Sequence, residues 1–241
     1  MFELDAGYYY GIGAFETILV QNGTPLFIKE HLQRLNSTLD FLRIKKRITI
    51  EEVWGFLKKD KMAEGVLKIS VSEQNVLFTT RINPYSYDLY EKGFQLTYSL
   101  FRRNETSPLT YHKTLNYAEN IMAKQEATQK NYDEALFLNS KGEICEGSCS
   151  NIFFVKEGQL YTPSISSGLL PGIIRKHICM TENVVECVIT KDDIEKFDEC
   201  FITNSILGIM KVIKIENHNY GTASCVEVIR NKYNALHNYT Q

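Results

Sequence analysis

Apolar positions recur along this chain with two periods, and the switches between them lay out its elements. Residues 28 to 43 place Ile28, Leu32, Leu35, Leu39 and Leu42 on one helical face, and a second helix opens at "TIEE", where Thr49 and Glu52 have the spacing of a capping box. "VLKISVS", "VLFTTRI" and "FQLTYSL" are short, rich in β-branched and aromatic residues and separated by polar turns, which predicts an antiparallel meander. A helix is expected from Leu115 to Gln129, with Leu115, Ala118, Ile121 and Met122 as its apolar positions. Beyond it come strands "EALFLN" and "SNIFFVK" around the turn "SKGE", then "LYTP" and a helix after "PGIIR". Strands "VVECVIT", "ECFITN" and "KVIKIE" lead to a last helix near Ala223 to His237, where Ser224 and Glu227 mark the start.

Strands and helices without regular βαβ alternation predict two α/β or mixed α+β domains, not one doubly wound sheet. The polar stretch "RRNETSPLT", residues 102–110, is the expected interdomain loop. It separates an N-terminal α/β domain, residues 1–101, from a C-terminal domain, residues 111–241.

Composition narrows the partners. The chain has 241 residues, 44% apolar and 23% charged, and its 27 basic against 29 acidic residues give a formal charge of −2. That balance offers neither a basic footprint for nucleic acid nor a polybasic membrane anchor, so a small-molecule substrate is expected. No apolar run approaches membrane-spanning length and "MFELDAGYYYG" lacks a leader pattern, so the expected location is cytoplasmic. The six cysteines show neither C-x-x-C pairs nor zinc spacing, and they read as reduced, packed thiols. "GIGAFET" lacks the third glycine and the preceding strand of a dinucleotide fingerprint, so nucleotide binding is not expected.

Three segments can carry chemistry. In "YHKTLNYAEN", Lys113 stands just ahead of the expected helix, and both burial and a helix N-terminus disfavour a charged amine, which makes it more nucleophilic. A solvated loop lysine is the plainer reading of that residue alone. Tyr117 follows four residues later, where a phenol can meet the ring hydroxyl of an aldehyde cofactor or simply pack. In "EICEGSCSNIFF", Glu146 is followed by small residues that let another body approach, and it can partner a protonated ring nitrogen or be a turn acid. "SGLLPGIIRKHI" combines Pro171 and Gly172 with a helix start, so a phosphate can rest on the amides of Ile173 and Ile174, although plain turn chemistry explains the pair equally.

Taken in order, "YGIGAFET", "HLQRL", "HKTLNY", "DEALFLNSKGEICEGSCSNIFF", "TPSISSGLLPGIIR" and "FITNSILGIMKV" resemble the class IV pyridoxal-phosphate enzymes over nearly the whole chain. This family holds branched-chain aminotransferases, D-amino-acid aminotransferases and aminodeoxychorismate lyases. The resemblance implies the two-domain, D-amino-acid aminotransferase-like fold, pyridoxal 5'-phosphate as cofactor and a homodimer. It makes Lys113 the Schiff-base lysine, Glu146 the partner of the pyridine nitrogen and Tyr117 the phenol near O3'. Arg34 would grip the phosphate, helped by the amides of Ile173 and Ile174 and by Ser205; a guanidinium fork suits those oxygens.

"FITNSILGIMKV" looks like the lyase form, which implies conversion of 4-amino-4-deoxychorismate to 4-aminobenzoate and pyruvate, a step towards folate. Thr17 then matches a threonine that aids proton delivery to the leaving group, Lys68 a basic position for a substrate carboxylate, and Asn204 a substrate-facing position. The alternatives are a class IV aminotransferase acting on branched-chain or D-amino acids and, remotely, a binding protein that kept the fold. Departures from the family pattern are Ile174 in place of a threonine, Lys211 in place of a proline, and a start almost at the "YG-G-FE" segment. Relatives place a hairpin of roughly twenty residues ahead of it, about two mean strands with their turns, so the edge of the first sheet is expected to differ.

Overall fold

The computed structural model describes residues 2–221 and 223–236 and divides into two compact units. The first comprises residues 1–84 and 112–117, the second residues 85–111 and 118–241. The units therefore do not part at 102–110, and the lysine segment does not go with the C-terminal part of the chain. The reason is a hydrogen-bonded graft, described below.

In the first unit the order is α1 (Ala6–Tyr10), β1 (Gly13–Gln21), β2 (Thr24–Pro25), α2 (Ile28–Phe41), α3 (Ile50–Asp60), β3 (Gly65–Ser72) and β4 (Val76–Arg81). The sheet runs β2-β1-β3-β4 with antiparallel neighbours throughout. Alternation along β1 sends Ala14, Ile18 and Val20 to the core face, where Leu32, Leu35 and Leu39 of α2 and Val53 and Leu57 of α3 close over them. The expected capping box is present: Thr49 accepts from the Glu52 amide and Glu52 from the Thr49 amide.

Residues 112–117 join this unit by pairing with β1. The Phe15 amide donates to the Lys113 carbonyl at 3.1 Å, and the Leu115 amide to the Gly13 carbonyl at 2.8 Å. Gly13 is required by that approach, because a Cβ there would run into Leu115 and the Val71 carbonyl. Residues 113–115 are thus held as an extended strap, and the helix expected from Leu115 begins only at Ala118. Backbone pairing to β1 has overridden local helical preference.

The second unit contains α4 (Tyr87–Lys92), β5 (Phe94–Arg103), α5 (Ala118–Gln129), β6 (Glu134–Asn139), β7 (Ile144–Gly147), β8 (Asn151–Lys156) and β9 (Gln159–Pro163). It continues with α6 (Ile173–Thr181), β10 (Val184–Cys187), β11 (Glu199–Asn204), β12 (Gly208–Ile215), β13 (His218–Asn219) and α7 (Ser224–Leu236). Its nine-stranded sheet runs β10-β9-β8-β11-β12-β5-β6-β7, with β13 on β12. The expected meander holds only for its first two strands, since β5 pairs in parallel with β12 and β6. Leu96, Leu136, Ile152, Phe154, Ile202 and Met210 are central to its core. The last helix is as expected from Ser224, while His237 lies outside the described residues.

Candidate active site

In the first unit the chemistry gathers around one aromatic ring. Phe15 points away from the α2 face, and Lys113 Nζ lies 4.4 Å from its ring centroid. The Tyr117 ring meets Phe15 edge-on at 5.0 Å and lies 5.2 Å from the same Nζ. Lys113 and Tyr117 are therefore neighbours as expected, although an extended strap and not a helix brings them together. Lys68 Nζ approaches Phe15 at 4.8 Å, and Lys68 is the register partner of Thr17 across β1 and β3. Two ammonium groups and a hydroxyl thus share one face, with the ring as a low-polarity floor that favours cations. Next to the lysine, His112 stacks on Phe41 at 4.0 Å and 9°, which ties the strap to the end of α2.

Arg34 sits in a buried ion cluster. Its Nε and Nη2 donate to the two oxygens of Glu16 at 2.7 and 2.8 Å, and His31 Nδ1 lies 2.6 Å from Glu16 Oε2. Glu16 and His31 are fully buried. Burial alone would push the Glu16 carboxyl up, but the Arg34 and His31 partners outweigh it and hold the group well below the usual carboxylate range. Burial pushes the His31 imidazole down against the pull of Glu16, and the Arg34 and Lys113 cations add to the fall. Neutral His31 beside an ionised Glu16 follows, and the Arg34 fork is fixed in direction by that carboxylate.

In the second unit Glu146, at the end of β7, is held from two sides. Arg103 of β5 places Nε and Nη2 at 3.1 and 3.0 Å from Glu146 Oε1, and the Leu170 amide donates to Oε2 at 3.0 Å. The loop that follows is clamped by buried Glu134 of β6, which accepts from the Ser148 and Cys149 amides and from the Ser148 and Ser150 hydroxyls. Glu146 is buried, not a solvated turn acid.

Helix α6 starts at Gly172, which has no side chain to answer the first-turn amides of Ile173 and Ile174. A Cβ at Gly172 would collide with Asn151 Oδ1, so the helix start is pressed close to β8, where Asn151 also donates to the Leu170 carbonyl. Thr203, the register partner of Asn151, has a buried hydroxyl oxygen with no hydrogen-bond partner. An uncapped helix start in the same unit as an orphaned hydroxyl, next to Asn204 and Ser205, fits an anionic group such as a phosphate. Asn204 spends its amide on the turn itself: Oδ1 accepts from the Ile206 and Leu207 amides, and Nδ2 donates to the Cys149 carbonyl.

Lys113, Tyr117, Thr17, Lys68 and Arg34 thus belong to the first unit, and Glu146, Ile173, Ile174, Asn204 and Ser205 to the second. Sequence reasoning missed Glu16, His31 and Arg103. Glu16 had a signal, since it occupies the core phase of β1 between Ala14 and Ile18, where a lone acid demands a cation. Arg103 had none, because its partner is 43 residues away on another strand. Among the described residues no His/Cys/Asp/Glu group could hold a metal ion, and no helix is long and apolar enough to cross a membrane. Among the described residues no cysteine is in a disulfide.

The chain belongs to the amino-transferase class IV family, which it matches over residues 13–215. It is accordingly a pyridoxal 5'-phosphate-dependent enzyme of the class IV fold. Over 246 residues it is 31% identical to the aminodeoxychorismate lyase of Bacillus subtilis, covering 91% of this chain and 83% of that one. It is 26% identical over 254 residues to the D-alanine aminotransferase of Bacillus licheniformis, covering 97% and 89%. The crystal structure of the Escherichia coli branched-chain amino acid aminotransferase superposes with a TM-score of 0.88 at 22% identity, over 100% of this chain and 91% of that one, and shows the shared fold. Lyases and aminotransferases are thus both among its relatives.

Proposed function

We propose that this enzyme is a lyase that converts 4-amino-4-deoxychorismate to 4-aminobenzoate and pyruvate. The observation that supports this reading is the Thr17–Lys68 register beside Lys113 on the Phe15 face. The substrate carries two carboxylates away from its amino group and loses one of them on an enol oxygen that needs a proton. A cation and a hydroxyl beside the reactive amine suit that elimination, whereas amino-group exchange needs no acid at the far end of the substrate.

When bound, pyridoxal phosphate supplies an electron sink for a proton-abstraction step. In the first unit, Lys113 Nζ would hold the cofactor by its aldehyde group, and the same amine would serve as the base for the proton on the substrate carbon bearing the amine. Tyr117 would meet the ring hydroxyl, Arg34 a phosphate and Lys68 a substrate carboxylate, while Thr17 would deliver a proton to the departing oxygen. In the second unit, taken by itself, Glu146 would suit a protonated ring nitrogen, and the amides of Ile173 and Ile174 with Ser205 would suit a phosphate. Ile174 offers only its amide where a threonine would add a hydroxyl. Asn204 acts on the substrate by shaping the turn that its side chain ties together. We further propose a cytoplasmic homodimer with a small-molecule substrate and no nucleic-acid partner.

The second reading is an aminotransferase for branched-chain or D-amino acids, supported by the D-alanine aminotransferase relative that covers 97% of the chain. One assay separates the two. The purified holoprotein is given 4-amino-4-deoxychorismate in one arm and D-alanine or branched-chain amino acids in another. Release of 4-aminobenzoate without rapid conversion of the cofactor to its pyridoxamine form supports the lyase; the converse establishes the aminotransferase. Within the lyase reading, Lys68→Met should raise KM about tenfold to a hundredfold, the cost of a lost hydrogen bond to a charged group. Thr17→Val should lower kcat by about 10² or more, the usual scale for a positioned acid.

A further inference from the structure

Arg103 is nowhere among the residues that the family reading places on the cofactor, yet the second unit spends an unusual amount of structure on it. Its side chain is only 11% exposed, and its guanidinium lies 3.9 Å from the Phe137 ring centroid. One edge meets Glu146 Oε1, and Nη1 donates to Asn120 Oδ1 at 3.3 Å. Asn120 is buried on α5 and in turn donates to the Ser148 carbonyl at 2.6 Å, two residues beyond Glu146. The guanidinium plane, the acid and the loop behind the acid are therefore one connected assembly from β5, α5 and β7.

We propose that Arg103 is a positioning residue that fixes the Glu146 carboxylate as the anion facing the ring nitrogen of the cofactor. The proposal rests on the reading of Glu146 as the ring-nitrogen partner. Two guanidinium nitrogens on one oxygen and a backbone amide on the other leave the carboxyl group little rotational freedom. A guanidinium also favours the ionised acid, so that a shared proton sits on the ring nitrogen and not on Glu146. Near this pair lie Glu119 of α5, 4.0 Å from Nη1 but 62% exposed, and the thiol of Cys145, which burial pushes up and so keeps neutral. Neither replaces Arg103 as the counter-charge, because the first is acidic and solvent-screened and the second uncharged.

The test uses holoprotein loaded with cofactor labelled with nitrogen-15 in the ring, and reads the ring-nitrogen chemical shift, which distinguishes protonated from unprotonated pyridine. Arg103→Met is expected to move the shift towards the unprotonated value and to lower kcat about tenfold to a hundredfold, as loss of a supporting contact does at other sites, with KM little changed. Arg103→Lys, which restores charge without the fork, should recover part of both. Asn120→Ala, which removes only the anchor on Nη1, should give a smaller displacement in the same direction and serves if the methionine variant does not fold. Glu146→Gln is the reference arm. If it leaves the ring-nitrogen signal unchanged, the Glu146 reading itself fails; if it moves the signal while the Arg103 and Asn120 variants keep the wild-type shift and kcat, that reading stands and the role of Arg103 is overturned.

Discussion

Each unit contains a buried arginine–glutamate fork, and the two are mirror images in purpose. In the first, Glu16 is the fully buried partner and Arg34 the more exposed one, at 17% against 0% for their side chains. The acid stands behind and aims the base. In the second, the proposed roles reverse, with Arg103 behind and Glu146 aimed. The difference shows that an ion pair near a site cannot be valued by its distance alone: what matters is which member has a second task, and which exists to orient the other.

The largest expected effect comes from breaking the first fork at its buried end. Glu16→Ala leaves Arg34 and His31 without their acceptor and should cost about 3–5 kcal/mol, the scale for an uncompensated buried charge, as read by urea unfolding at neutral pH. Glu146→Gln keeps the shape of its site, so its unfolding midpoint should stay near wild type while kcat falls by at least about tenfold. If both variants lost stability equally, the contrast between the forks would disappear.

Arg34→Ala lies between these extremes. It removes the proposed phosphate partner and also strips Glu16 of its main counter-charge, so weaker cofactor retention should appear together with a lower melting temperature. Cofactor affinity unchanged from wild type would remove Arg34 from phosphate binding and leave it a structural partner of Glu16.

Acid should weaken the first fork. His31 is held below its ordinary value of 6.5, so the unfolded chain takes up this proton first and stability falls as pH drops below about 6.5. Glu16 is held below 4.5, so its contribution is complete above that value and is lost as pH falls further. Melting curves from pH 8 to 4 should therefore decline from near 6.5, and His31→Gln should flatten the upper part of that decline. The smallest effect is a control far from both forks: Thr49→Ala removes one half of the α3 capping box and should cost about 1 kcal/mol, with cofactor affinity unchanged.

What the sequence disclosed follows the reach of the interactions involved. The α3 cap needed only Thr49 and Glu52, three residues apart, and the α2 stripe only its own periodicity, so both are as expected. The placement of β5 was not legible, because an apolar run reads alike whether it pairs antiparallel with β4 or in parallel with β6 and β12. The strap around Lys113 shows the same limit. Leu115 continues the helical spacing of the apolar residues in α5, yet the bonds that hold the strap belong to Gly13 and Phe15, about a hundred residues earlier. Motif order pointed to Lys113, Glu146 and Arg34; Glu16 showed only as an acid in the core phase of β1, and Arg103, paired with Glu146 from another strand, appears only once the chain is folded.

Lys113 is the residue proposed to carry the cofactor. Holoprotein reduced with borohydride, digested and analysed by mass spectrometry should show the phosphopyridoxyl group on the peptide containing Lys113, and Lys113→Ala should yield neither adduct nor turnover. An adduct on Lys68 or another lysine, or full turnover by Lys113→Ala, would contradict it.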